Sequence, residues 1–301
     1  MYDRNIFKNT VCTKEILMSE KLIRTLVRQI LTEGIYDPGI LKAVFMAGGP
    51  GSGKSFTAKA IFGGNQDAIY SAMTESGLKL LNSDPAFEHF LKEAGVDLAD
   101  LGRITEEEPE LAYQLGLDDD RGIPPDSPRG KAKKIKKTAQ KMWTRPDARL
   151  GVIIDGTGDD YNSLERKKLA LEQIGYDTYM IFVNTTLEVA QERNQKRDRK
   201  LSKKLVEKIW TDVQANLGAF QSLFGMRNMV IVDNTVYGPV PAELEEAVQD
   251  FVNAPIQNPV GREWVEAQLE KRGEEDIARK APGTRGRLLG DEESDQDDGT
   301  P

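Results

Sequence analysis

A glycine-rich turn between an apolar run and a helical run constrains this 301-residue chain more than any other feature. The spacing G-x-x-x-x-G-K-S extends from Gly48 to Ser55 and directly follows the apolar stretch 43–46. Glycines allow a loop to surround a phosphate with its backbone N–H groups, and the following helix presents its positive N-terminus to the same anion. The spacing therefore predicts a strand, a phosphate-binding loop and a helix. A glycine-rich turn without a ligand is the alternative.

The side chains of this loop indicate a nucleoside triphosphate. Lys54 is placed to reach the β- and γ-phosphates, and the Ser55 hydroxyl is placed to bind Mg²⁺. We predict nucleotide contacts from one continuous run, namely Gly48, Gly49, Pro50, Gly51, Ser52, Gly53, Lys54, Ser55 and Phe56.

Composition excludes several classes of protein. With 39% hydrophobic and 30% charged residues, and no apolar run near the length of about 20 residues that a membrane span needs, we expect a soluble protein that makes no membrane contact. The single cysteine, Cys12, excludes an internal disulfide and favours a reducing, cytoplasmic setting. One cysteine and one histidine exclude a zinc site of the His/Cys type, and we interpret His89 as an ordinary helix residue.

Five short apolar runs alternate with segments of helical period. The runs are 41–46, 78–81, 150–154, 178–183 and 229–232. Strands that alternate with helices favour a parallel sheet covered on both faces, so we predict an α/β fold built on these five runs.

The pattern along the chain divides it into four parts. An N-terminal extension with an amphipathic helix occupies 1–39, and the main domain occupies 40–254, with an irregular, Pro- and Asp-rich insertion at 97–130. A C-terminal helical segment at 255–279 precedes an acidic tail at 280–301, whose composition predicts disorder.

The two ends of the chain are where we expect a partner protein, if there is one. The apolar stripe of the N-terminal helix is typical of packing on its own domain, with partner binding as the alternative. Residues 291–301 hold six acids and no bases, which leaves a charge of −2 for the rest of a chain whose net charge is −8. Oligomeric state is not readable from the sequence.

Two aspartates follow predicted strands at the edge where open α/β sheets bind their ligands. Asp84 would lie beside the γ-phosphate and accept a hydroxyl proton, or it would cap the helix that begins near Pro85. Asp155 follows a buried run, as a magnesium ligand at that edge does, and the alternative is a turn aspartate beside Gly156.

Two basic segments add further candidates. Arg193, Arg197 and Arg199 suit a helical lid that closes over a triphosphate, or else they form a solvated charged face. Between 129 and 141 the chain carries seven positive charges, which either follow a phosphate backbone or form a solubilising helix face with Ala132 and Ile135 packed inward.

Four motifs together resemble one branch of P-loop kinases, which contains the zeta toxins and the 5′-hydroxyl polynucleotide kinases and includes members encoded by tailed phages. The motifs are the loop 48–55, Asn82-Ser83-Asp84, Asp155-Gly156-Thr157-Gly158 and the segment 193–199. The resemblance covers residues 40–235. It implies a Rossmann-like P-loop NTPase fold, with a parallel sheet of about five strands and helices on both sides.

This resemblance implies ATP and Mg²⁺ as cofactors and a nucleotide-type acceptor whose hydroxyl receives the γ-phosphoryl group. A polynucleotide 5′-end, a nucleotide, a modified DNA base and a nucleotide-sugar all remain open, and a phage-encoded member would act in the host cytoplasm. By this resemblance Lys54 binds phosphate, Ser55 and Asp155 bind the metal, and Asp84 is the acceptor-activating base. Arg193, Arg197 and Arg199 become catalytic lid residues. The insertion, the N-terminal helix and the tail depart from the family pattern.

A P-loop NTPase without a phosphorylated product is the competing hypothesis, and a silent nucleotide-binding module is the third. Hydrolytic NTPases need a glutamate or glutamine to orient water, and they usually take an arginine from a partner. Here Asp155 is followed by Gly156. That residue weighs against a motor ATPase.

Overall fold

The computed structural model describes residues 34–63, 72–74, 76–118, 121–273 and 283–290. The strands within these ranges are β1 (Lys42–Ala47), β2 (Ala72–Met73), β3 (Lys79–Leu81), β4 (Val152–Asp155), β5 (Asp177–Asn184) and β6 (Met229–Asp233). The helices are α1 (Lys54–Phe62), α2 (Asp84–Glu93), α3 (Leu101–Glu107), α4 (Pro109–Leu115), α5 (Pro128–Trp143), α6 (Tyr161–Gln173), α7 (Leu187–Gln195), α8 (Lys203–Phe224), α9 (Ala242–Asn253), α10 (Pro259–Arg272) and α11 (Thr284–Leu289). Short 3₁₀ turns lie at Gly34–Tyr36, Leu98–Asp100 and Met226–Asn228.

The strands form one sheet in the order β2-β3-β4-β1-β5-β6. The five strands from β3 to β6 in this order are parallel, and only the two-residue β2 pairs antiparallel. The predicted α/β fold with a five-stranded parallel sheet is confirmed, and each predicted strand is present within two residues of its predicted limits. β2 was not predicted because two residues carry no readable period.

Alternate residues of the central strand β1 face two different cores. Phe45 packs on one face with Phe182 and Phe220, and helices α6, α8 and α10 cover that face. Val44 packs on the other face with Ile61 and Val232, and α1 and α9 cover it. Every residue of β1 is buried, and the five that follow Lys42 are apolar, as is typical of a central parallel strand.

A third apolar cluster lies beside the sheet and corrects one prediction. It joins helices α2, α3, α4 and α5 through Phe87, Leu101, Ala112 and Ala132 respectively. The insertion 97–130 is therefore not irregular, because α3 and α4 lie within it and α5 begins at its end. Apolar residues three apart supply a helical face there, which the Pro-, Gly- and Asp-rich composition of the segment obscured.

The C-terminal region differs from the prediction of a disordered tail beginning at residue 280. Residues 284–289 form α11, in which Leu288 is buried and Arg287 donates a hydrogen bond to the Ile35 carbonyl at 3.0 Å. Residues 291–301 and the predicted N-terminal helix up to residue 33 lie outside the described ranges. No helix in the part of the chain that the structure describes combines the length and apolarity that crossing a membrane requires.

Candidate active site

The phosphate loop connects β1 to α1, which begins at Lys54. Gly51 and Gly53 have φ angles of +78° and +92°, which L-residues with a Cβ rarely adopt. A Cβ on Gly51 would overlap the Ala190 carbonyl, and one on Gly53 would overlap the Asn234 side chain. Backbone conformation and space therefore both require glycine at these two positions.

Neighbouring elements hold the loop in place. The Asn234 side chain, just after β6, donates to the Ser52 carbonyl at 2.7 Å. The Gly48 N–H donates to the Thr157 carbonyl at 2.8 Å, which ties the loop to the segment that follows β4. Sequence reasoning missed Asn234, because no local pattern marks a residue 182 positions from its partner.

Lys54 folds back over the loop that it follows. Its ammonium group donates to the Gly48 carbonyl. Burial lowers the pKa of Lys54, while the charges of Asp155 and Asp84 raise it. The predicted phosphate-binding lysine therefore lies within electrostatic reach of both predicted aspartates.

Asp155 ends β4 and pairs in register with Met46 of β1. Among the residues that the structure describes, its buried Oδ1 has no hydrogen-bond partner. Burial raises the pKa of Asp155, and the charges of Lys54 and Lys136 oppose that rise. A buried carboxylate oxygen without a donor fits a hard cation such as Mg²⁺, and the Ser55 hydroxyl supplies a second oxygen of the type that this ion prefers.

Asp84 is the first residue of α2, and its carboxylate forms ion pairs rather than a helix cap. Oδ1 lies 3.3 Å from Arg129 Nη1, and Oδ2 lies 3.1 Å from Arg199 Nη2. Burial raises the pKa of Asp84, but the two arginines outweigh burial and hold the pKa well below its usual value. The N-cap position belongs to Ser83, which makes no side-chain cap bond, and the Asn82 side chain accepts from the Asp84 N–H at 2.8 Å.

The predicted lid is a helical hairpin made of α7, the loop 196–202 and α8. Arg193 lies on α7, and its buried Nη1 has no hydrogen-bond partner in the described ranges. Arg197 and Arg199 lie in the loop, because α7 ends at Gln195. Arg193 is therefore the only one of the three arginines that lies on a helix, although all three line the same cavity.

The side chain of Asn194 bridges the two ends of this loop. Its buried side chain donates to the Leu201 carbonyl at 2.7 Å and accepts from the Leu201 N–H at 3.1 Å. Two bonds from one amide fix the chain path on either side of Arg197 and Arg199. The sequence analysis did not single out this residue.

The basic segment forms α5, whose inward face agrees with the solubilising-face interpretation, while two of its cations contact the site in a way that neither interpretation predicted. Ala132 is buried and Ile135 packs on the third cluster, as the solubilising-face interpretation requires. Arg129 instead reaches Asp84, with its guanidinium carbon 4.7 Å from the centre of the Phe87 ring. Lys136, two helical turns later, donates to the Asp155 carbonyl at 2.5 Å, and burial lowers its pKa to about 8. A spacing of seven on a predicted helix was the available signal for this pair.

One cavity of about 670 Å³ unites these parts, and its volume falls in the range of small-molecule sites. The predicted site residues that line it are Gly49, Pro50, Gly51, Ser52, Gly53, Lys54, Ser55, Asp84, Asp155, Arg193, Arg197 and Arg199. Phe56 lies outside the lining, with its half-exposed ring 5.7 Å from that of Tyr237. His89 is exposed on α2 beside Glu93, which agrees with an ordinary helix residue.

Comparison with known proteins identifies the family. A family model described as an AAA domain matches residues 44–220, which include the phosphate loop, both aspartates and the lid arginines. The chain belongs to this family, AAA_33. The match and the sheet order together make it a P-loop protein of the α/β class.

Solved structures resemble this AAA_33 chain at low sequence identity. A chain of the PezAT toxin–antitoxin system of Streptococcus pneumoniae is 14% identical, over 91% of this chain and 98% of that one, with a TM-score of 0.44. Shikimate kinase from Acinetobacter baumannii is 13% identical, over 73% and 97%, with a TM-score of 0.33. The AvrRxo1-ORF1:-ORF2 complex is 11% identical, over 82% and 83%, with a TM-score of 0.37. No curated protein matches the sequence. Likenesses this distant do not assign a substrate.

Proposed function

We propose that this AAA_33 protein is an ATP- and Mg²⁺-dependent kinase that transfers the γ-phosphoryl group to a hydroxyl of a nucleotide-type acceptor. One observation carries the proposal. A carboxylate, Asp84, lines the same cavity as a complete phosphate loop and three arginines of the same chain. A phosphate loop alone supports any NTPase, whereas a positioned carboxylate and arginines supplied in cis are the parts that phosphoryl transfer to a hydroxyl needs.

The phosphate loop and Lys54 would hold the triphosphate of ATP. In a loop of this kind, backbone N–H groups and the N-terminus of the following helix bind one anion, and Arg193 offers a buried donor without a partner among the described residues. Ser55 and Asp155 would hold Mg²⁺, which supplies neutralisation of the phosphate charge when it is bound.

Asp84 would act as the base for the acceptor. The acceptor oxygen forms a bond to the γ-phosphorus as the bond to the β–γ bridging oxygen breaks, ADP leaves, and the hydroxyl proton moves to the Asp84 carboxylate. Arg197 and Arg199 would stabilise the charge on the transferring group, for which planar guanidinium groups are well suited. The depressed pKa of Asp84 keeps this carboxylate ionised and able to accept a hydrogen bond from the acceptor at neutral pH.

The proposal is tested by an acceptor screen with γ-³²P-ATP. Mononucleotides, nucleotide-sugars, and DNA and RNA with 5′-hydroxyl ends are offered in turn, and label in the acceptor is separated from label in free phosphate. We expect one class to become labelled by the wild-type chain and none by Lys54→Ala. ATP turnover that gives free phosphate alone with every acceptor would contradict the proposal and favour the hydrolytic NTPase.

A further inference from the structure

We infer that the acceptor is a small molecule with a flat, apolar body and an anionic group, held in a chamber on the far side of Asp84 from the phosphate loop. The acceptor chamber is the part of the cavity lined by Phe87, Leu101, Thr105, Ala112, Leu117 and Leu205. This inference rests on the proposed function, because it names the acceptor class for that site.

Asp84 lines the same cavity as the phosphate loop and begins the helix α2 that also carries Phe87. The positive charge of Lys54 also contributes to the lowered pKa of Asp84. Phe87 lies one helical turn further along α2, and it belongs to the third apolar cluster. A hydroxyl that contacts Asp84 therefore places the rest of its molecule against Phe87 and the helices beyond it.

The walls of the acceptor chamber are mainly apolar. Helix α3 contributes Leu101 and Thr105, α4 contributes Ala112, and the lid helix α8 contributes Leu205. The Thr105 hydroxyl donates to the Leu101 carbonyl at 2.8 Å, so its hydrogen is already used within α3. Such walls favour a ring system over a free polyol. Burying the ring against apolar side chains is favourable, whereas buried sugar hydroxyls would have no hydrogen-bond partner there.

Charge in the cavity favours an acceptor that is also an anion. Six cationic side chains line the cavity against three carboxylates. Lys54 and the lid arginines would serve the triphosphate, although Arg199 also lies 5.9 Å from the centre of the Phe87 ring. Arg129 lies closer to that ring, at 4.7 Å, on the chamber side. Because its guanidinium presents several donors and Asp84 Oδ1 engages one nitrogen, Arg129 has donors left for an anionic group of the acceptor.

A small molecule fits this chamber better than a polynucleotide end does. The exposed lysines of α5, namely Lys131, Lys134 and Lys137, are not among the residues that line the cavity. A bound polynucleotide would need cations that continue from the site along its backbone. The cavity volume of about 670 Å³ suits a triphosphate together with one small acceptor.

Dye binding tests the chamber independently of catalysis. The probe is 8-anilinonaphthalene-1-sulfonate, a flat apolar anion, and its neutral counterpart is N-phenyl-1-naphthylamine. Fluorescence titrations use the full chain with adenylyl imidodiphosphate and Mg²⁺ present to occupy the phosphate loop. We expect saturable binding of the anion at one site per chain and binding of the neutral dye about 10-fold weaker, as the loss of one charge-assisted contact implies.

Variants locate the dye. Thr105→Phe fills the chamber, and Glu106→Phe adds the same ring on the exposed side of α3. Arg129→Gln removes the anion contact, and Lys134→Gln removes an exposed charge from the same helix. Thr105→Phe and Arg129→Gln should each weaken the anion about 10-fold or more, while the two control variants should not. Thermal melting by circular dichroism verifies that each variant is folded.

Three results would overturn the inference. These are no saturable binding of the anionic dye, equal effects of chamber and control variants, and displacement of the dye by a 5′-hydroxyl oligonucleotide, which would favour the polynucleotide class. Because these titrations involve no phosphoryl transfer, their failure is distinguishable from failure of the kinase proposal. That proposal fails instead when no acceptor becomes labelled.

Discussion

Asp84 sits between arginines that come from two different elements. Arg129 approaches from α5 and Arg199 from the lid loop, and Arg199 Nη1 also lies 3.8 Å from Glu88. Ion pairs this open to water contribute little by themselves, so their main effect here is to keep the carboxylate ionised and correctly oriented. If closure of the lid on a triphosphate draws Arg199 toward the phosphates, Asp84 keeps Arg129 as its partner.

Acid should remove the stabilising effect of Asp84. The pKa of Asp84 is lower in the folded chain than in the unfolded chain. Its contribution to the free energy of unfolding is therefore fully present above the unfolded pKa of about 3.9, and it is lost as the pH falls toward the folded pKa. Urea unfolding at several pH values should show wild type more stable than Asp84→Asn at pH 7, with a gap that narrows below pH 4. The exposed Asp126→Asn is the control. A gap that widens on acidification would contradict the assignment.

One buried side-chain amide holds the loop of the hairpin that we propose as a lid. Asn194 holds both backbone groups of Leu201, and the loop between them carries Arg197 and Arg199. Gly102 on α3 faces this same loop, because a Cβ at Gly102 would lie 3.5 Å from the backbone carbonyl oxygen of Lys200. The lid thus lies against a wall of the acceptor chamber.

Asn194→Ala should disturb the lid more than the fold. Two buried backbone groups lose their partner, which costs about 1–3 kcal/mol for each group left unsatisfied. We expect a lower melting temperature and, because the arginines lose their position, a higher KM for ATP together with a lower kcat. Gln195→Ala, one residue along at the exposed end of α7, serves as the control. A variant with normal ATP kinetics would show that Asn194 does not position the arginines.

In the molecule as a whole, helix α8 connects the core to the candidate site. Phe220 of α8 is fully buried, packs on Phe182, and lies 3.4 Å from the position of a Cβ on Gly158. The same helix contributes Asn216, which donates to the carbonyls of Gly158 and Asp159 at 2.9 Å. Helix α8 therefore joins the core, the segment after Asp155 and the lid.

Truncation of this core should destabilise the chain strongly. We expect Phe220→Ala to lower the free energy of unfolding by about 3–5 kcal/mol, as large-to-small changes at fully buried aromatics do. Met226→Ala is the matched control, because Met226 is 75% exposed and should change stability by less than about 0.5 kcal/mol. Urea unfolding measures both. Similar losses in the two variants would mean that the packing at Phe220 is not as described.

Features that depend on a few neighbouring residues are the ones that the sequence predicts best. The loop 48–55 and the apolar runs reveal the sheet because strand period and glycine spacing act over a few residues. Asp84 and Asp155 were found because parallel strands bring their carboxyl ends together. Arg129 was not assigned to the site, because its ion pair with a residue 45 positions away depends on how α5 packs on α2. The segment 97–130 was wrongly predicted to be irregular, because its Pro-, Gly- and Asp-rich composition obscured the short helical period of its apolar residues.

In the proposed mechanism, Asp84 directs the γ-phosphoryl group to a hydroxyl instead of water. The most direct measurement is the division of ³²P from γ-labelled ATP between acceptor and free phosphate, in wild type and Asp84→Asn, with the acceptor class that the screen identifies. Loss of a general base typically costs a factor of about 10²–10⁴, so label in the acceptor should fall by that much while ATP still binds. Undiminished transfer by Asp84→Asn, alongside abolished transfer by Lys54→Ala, would contradict the claim.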